Sequence, residues 1–140
     1  MTRYATEIIE RRRAAVASPG ELPFDGPFER LREGLEFKTR AHAVEDPDPF
    51  PVLALAARLV PLDRARVRLC RIDDVVFRRS VRAGDEVHVE GRVEEVAAGG
   101  EESGEVTLGW NVVDQAGRCV CRARVELAWA REEPVVAIPL

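Results

Sequence analysis

Four segments in the second half of the chain read as β-strands separated by turn residues, and the last three alternate apolar and polar residues with the two-residue period of a strand. They are VRLCRIDDVVF (67–77), DEVHVEGRVEEV (85–96), GEVTLGWNVVD (104–114) and RCVCRARVELAWA (118–130). Successive side chains of a strand point to opposite faces, so Val87, Val89 and Val93 fall on one side and Glu86, His88, Glu90 and Arg92 on the other. Val106, Leu108, Trp110 and Val112 share a face in the next segment, and Cys119, Cys121, Val125, Leu127 and Trp129 share one in the last. RAGD leads into the second segment, AAGGEESG makes a flexible hairpin tip, and DQAG makes a tight one. Strands joined in this way form an antiparallel sheet with one apolar face, and that face needs a cover.

The cover lies upstream. Residues 52–60, VLALAARLV, are rich in Ala and Leu, carry one charge at Arg58 and are apolar almost all round, which predicts a buried helix. Before it, Leu35, Phe37, Thr39, Ala41 and Ala43 alternate with Glu36, Lys38, Arg40 and His42, which predicts a first strand. The expected fold class is α+β, a five-stranded antiparallel sheet wrapped around one central helix. A chain of 140 residues supports one such domain. At the start, TRYATEIIERRRAAVASPG predicts a short amphipathic helix with Tyr4, Ile8 and Ala15 along one side, ended by Ser18, Pro19 and Gly20. ELPFDGP follows as a turn-rich connector, so residues 1–25 read as helix and connector and residues 26–140 as the domain. The Arg11, Arg12 and Arg13 run is placed to touch an acidic ligand, although a solvated helix face is the simpler reading.

A formal charge of −4 offers no overall attraction to phosphate backbones, which argues against nucleic acid as a partner. Cys70, Cys119 and Cys121 show neither the even count of a disulfide framework nor paired metal-ligand spacing, so packing in a reducing cytoplasm is expected and no metal site. No apolar run reaches the roughly 18 residues of a membrane span, and the basic start lacks the apolar stretch of a secretory signal.

The order strand, buried helix, four strands resembles the hot-dog fold, and the wording resembles its MaoC-like branch, the (R)-specific enoyl-thioester hydratases and dehydratases. GPFERLREGLEFKTRAHAVED is similar to that branch's opening strand. VVFRRSVRAGDEVHVEGRVEEV is similar to its F-R-x-P-V-x-x-G-D signature, with Ser80 in place of the Pro, and VTLGWNVVDQAGRCVCRARVELAW to its last hairpin. The resemblance implies a dimer whose two sheets join edge to edge and an acyl thioester, on CoA or acyl carrier protein, bound between the central helix and the partner subunit. It implies no cofactor. It also implies a D-x-N-P-x-H loop before the helix and an H-G pair at the helix start. There Asp and His act as acid and base, and the Gly amide holds the thioester oxygen.

This chain departs from that pattern in EDPDPFPVLALAARLV, residues 45–60. Set on D-x-N-P-x-H, Asp46 keeps the acid while Asp48 replaces Asn and Pro51 replaces His. Set on the helix start, the preferred alignment, Phe50 replaces His, Pro51 replaces Gly, and the catalytic loop is missing. Proline has no N–H, so at the Gly position it removes the oxyanion donor unless Val52 or Leu53 takes over from a shifted helix start. The remaining catalytic candidates are Asp46, Asp48 and, more remotely, His42, and the expected substrate contacts are Phe50, Val52, Leu53 and Phe77. Asp-Pro pairs before a helix are also ordinary turn and cap chemistry, and His42 and His88 read first as surface histidines on polar strand faces. Arg78 and Arg79, beside Phe77, are placed to meet a phosphopantetheine or nucleotide phosphate.

The expected function is therefore a degenerate, non-catalytic hydratase or dehydratase subunit, or an acyl-thioester-binding protein of fatty acid or polyketide metabolism, as a homodimer or a heterodimer with a related subunit. The alternative is an active lyase, an enoyl-thioester hydratase or dehydratase, or a thioesterase, using Asp46 or Asp48.

Overall fold

In a computed structural model, residues 20–132 are described. The predicted N-terminal helix lies outside them. The elements are β1 (Glu36–Lys38), β2 (His42–Ala43), helix α1 (Pro49–Leu59), β3 (Val67–Phe77), β4 (Glu86–Ala97), β5 (Ser103–Asp114) and β6 (Cys119–Ala130), with a 3-10 turn at Phe28–Arg30. The four long strands match the four strand segments expected from the sequence to within a residue at each end. All pair antiparallel in the order β1-β4-β5-β6-β3, with β2 also on β4.

The sheet has six strands, not five, because the predicted first strand is split. Thr39 both donates its N–H to the Val89 carbonyl (2.9 Å) and accepts the Val89 N–H on its hydroxyl (2.9 Å). Its side chain thus takes a place in the ladder that a backbone carbonyl would fill, and pairing stops until His42. The alternation slips across the break. Leu35 and Phe37 are buried as expected, but Ala41 and Ala43 are exposed and Val44 is buried instead.

The core lies between α1 and one face of the sheet. Val52, Leu55, Ala56 and Val60 meet a face made by Val87, Val89, Val93, Leu108, Trp110, Val125 and Leu127, all buried. Burial of α1 is one-sided, against the expectation of a helix enclosed all round: Phe50, Ala54 and Arg58, spaced at i, i+4 and i+8, form an exposed line. Gly91, in the middle of β4, has no side chain for a steric reason. A Cβ there would lie 2.4 Å from the Phe37 ring, which crosses β4 at that point. The connector packs into the same core. Leu22 is buried, Phe24 meets Phe37 and Trp129 at ring distances of 5.3 and 5.8 Å, and the Trp129 indole donates to the Gly26 carbonyl at 2.8 Å.

A bulge in β6 corrects another expectation. Cys119 pairs with Val113 and Cys121 with Val112, leaving Val120 extra, so the two cysteines do not share a face. Cys121 is buried in the core, where desolvation pushes its thiol up to about 11, while Cys119 reaches towards exposed Asn111 at 3.8 Å. Among the described residues no helix is long and apolar enough to cross a membrane.

Candidate functional site

The start of α1 is held from behind. Buried Val44 donates its N–H to the Asp85 carbonyl (2.7 Å) and accepts the Gly84 N–H (2.8 Å), so the G-D signature grips the chain just before the helix. Gly84 sits at φ +96, a left-handed turn that glycine adopts at little cost. The Asp85 carboxylate accepts the Arg82 N–H (2.8 Å) and the Gln115 side-chain amide (3.1 Å), and those bonds, Arg82 foremost, hold it below the usual carboxylate range. The most recognisable motif of the sequence therefore does structural work. Its signal was the second motif, D-Q-x-G, whose Gln completes the clamp.

From Val44 the chain runs through Glu45–Pro47 to the helix. Asp46 accepts the Asp48 N–H at 3.1 Å, closing a local turn around Pro47. Asp48 occupies the N-cap position, but its carboxylate makes no capping bond. Both aspartates are exposed at the start of the helix. The first turn is Pro49, Phe50 and Pro51, of which only Phe50 carries an amide hydrogen. The Val52 N–H already donates to the Asp48 carbonyl at 3.1 Å, so it is spent on the helix, which starts one turn earlier than the sequence suggested.

Of the expected substrate contacts, the fold brings two together. Phe50, 75% exposed, meets Phe77 at the end of β3 in an edge-to-face contact with centroids 6.0 Å apart. Leu53 packs partly against the core, whereas Val52 belongs to it and is 2% exposed. Phe77 and Leu69, each about 40% exposed, pair with Cys121 and Leu127 of the core face, whereas Val76 pairs with Arg122 on the opposite face; β3 pairs with β6 on one side and lies at the end of the sheet on the other. Arg78 and Arg79 follow Phe77 and are exposed, their amides both donating to the carbonyl of the bulged Val120.

The histidines lie on paired strands, with no hydrogen bond between them. His42, on β2 opposite Val87, is exposed and turns its ring to the adjacent Ala43 carbonyl at 2.8 Å. His88 lies on the sheet face away from α1 and pairs with Glu90 at 2.7 Å. No group of three or more His, Cys, Asp or Glu among the described residues is arranged to hold a metal ion. The site therefore has two exposed carboxylates, one unpaired first-turn amide and an aromatic pair, but neither histidine joins the aspartates in a hydrogen bond.

No protein-family model matches the chain, and no curated protein does. Solved structures do. A monoamine oxidase regulatory protein from Archaeoglobus superposes with a TM-score of 0.69 at 20% identity, over 84% of this chain and 100% of its own. A MaoC-like dehydratase from Rhodospirillum rubrum gives 0.66 at 21% identity, over 76% of this chain and 98% of its own. The R-hydratase PhaJ1 from Pseudomonas aeruginosa, in its unliganded form, gives 0.61 at 16% identity, over 81% and 94%. At such identities the likeness is one of fold, and it agrees with the observed sheet order and single covering helix: the chain is a hot-dog domain shaped like those of MaoC-like dehydratases and R-hydratases.

Proposed function

We propose that the protein binds an acyl thioester, on CoA or on an acyl carrier protein, at the start of α1, and that it does so without catalysing its hydration. The fold shared with a dehydratase and an R-hydratase supports the ligand class. The observation that carries the non-catalytic part is the first turn of α1, Pro49, Phe50 and Pro51. Hydration of an enoyl thioester needs a base for the water, an acid for the α-carbon and amide donors for the thioester oxygen as it gains charge. Here one donor is left, no histidine faces it, and Asp46 is already engaged by the Asp48 amide. Each missing oxyanion donor lowers the rate by roughly a hundredfold to a thousandfold.

The apolar parts of the site support binding. Phe50, Phe77 and Leu53 offer an acyl chain a surface, and exposed Arg78 and Arg79 stand where a carrier phosphate would be met. The open edge of β3 and the exposed line of α1 are suited to a second hot-dog subunit, either a copy of this chain or a related partner that brings its own acid and base. Calorimetric titration with crotonyl-CoA and longer enoyl-CoAs, alongside a hydration assay, tests the reading. Saturable binding without turnover is expected. Enzyme-like hydration that disappears on Asp46→Asn or Asp48→Asn would instead establish the catalytic alternative.

A further inference from the structure

The sheet face turned away from α1 carries a shallow trough that crosses the strands from β1 to β3, rimmed by Glu36, Glu90, Arg92, Asn111, Arg122 and Asp74. Its floor drops at Gly109, and the Glu94 side chain lies over that glycine, so closely that a Cβ there would sit 2.3 Å from the carboxylate. Glu94 pairs with Arg124 on β6 at 3.5 Å. At the far end Val76 of β3 is exposed. The near end is where the chain enters the domain. Gly20 and Glu21 line the trough, the Glu36 N–H donates to the Gly20 carbonyl at 3.1 Å, and Glu21 bridges Glu36 in parallel. Gly20 has φ +90, a turn of the kind that ends a helix.

We propose that residues 2–17 of this chain dock as a helix across this trough, away from the thioester site. Length is the first argument. Sixteen helical residues span about 24 Å, and five strands at about 4.8 Å spacing are about 19 Å across, so the segment reaches from β1 to β3. Charge order is the second. Counting back from Ser18, Arg11, Arg12 and Arg13 fall about 7–11 Å along, beside β4, where Glu90 and Glu94 stand on either side of Arg92. Glu7 and Glu10 fall about 12–17 Å along, above Arg122 and Arg124 of β6, and Tyr4 reaches the level of Val76. The basic run of the segment therefore lies beside the two β4 acids, and its acidic pair beside the two β6 arginines. This docking does not depend on the thioester reading.

Hydrogen exchange on the full-length chain, followed by mass spectrometry, tests it. Amides of residues 5–17 are expected to exchange at least about tenfold slower than in an unstructured peptide. The variant R11E/R12E/R13E should abolish that protection while leaving β4–β6 protected, Glu94→Arg should weaken it, and the two combined should restore it in part. Exchange of 5–17 at the unstructured rate would overturn the proposal, as would protection indifferent to both reversals. Protection that vanishes on dilution would also overturn it, because it would mark docking onto a second copy.

Discussion

Gln115 and Asp85, thirty residues apart, are joined side chain to side chain: the Gln115 amide donates to the Asp85 carboxylate at 3.1 Å, and its carbonyl accepts the Glu86 N–H at 3.0 Å. This pair fastens the β5–β6 turn to the start of β4, and through Asp85 and Val44 to the start of α1. Both bonds are near the surface, so Gln115→Ala should lower unfolding free energy by about 1 kcal/mol, readable in urea titrations. It should also raise exchange rates at Val44 before those of the sheet interior.

The β5–β6 turn predicts an acid dependence. The Asp114 side chain accepts the Ala116 and Arg118 amides, each at 2.9 Å, and the Arg118 guanidinium at 3.2 Å. These bonds, the Arg118 amide foremost, hold its carboxyl below the usual range, and Asp85 is lowered as well. A carboxylate with a depressed folded-state value contributes stability that is present above its unfolded value, about 3.9, and lost as pH falls through the folded one. Asp114→Asn should therefore lower Tm by several degrees near neutral pH, with the difference from the parent shrinking below about pH 4. A constant difference across that window would count against the mechanism.

The two tryptophans are both buried, yet only one has its indole paired. Trp129 donates to the Gly26 carbonyl, while the Trp110 N–H finds no acceptor. Substitution by Phe leaves a comparable void at either site, but at Trp129 it also orphans a buried carbonyl, and at Trp110 it removes an orphaned donor. Trp129→Phe is expected to cost at least about 2 kcal/mol more than Trp110→Phe in equilibrium unfolding.

Adjacent positions of α1 should separate association from stability. Phe50 is 75% exposed, so Phe50→Asp should change stability by no more than about 0.5 kcal/mol while weakening self-association or partner capture in sedimentation runs. Val52→Asp buries a charge in the core and should unfold the domain.

Local pattern alone determined most of this protein. Period-two alternation marked three of the four long strands, the Ala and Leu run marked the helix, and Pro51 announced a helix start short of amide donors, because each depends on the covalent character of nearby residues. What the tertiary structure decided are matters of pairing between distant residues. Thr39 splits the first strand because Val89 is there to meet its hydroxyl. A single extra residue, Val120, turns Cys119 and Cys121 to opposite faces, and alternation has no way to mark where a bulge will fall. The helix is apolar nearly all round, but the sheet covers only one side of it, so Phe50 is left exposed against Phe77. Asp85 likewise reads as part of a motif in sequence, and becomes a clamp only when the fold brings Gln115 to it.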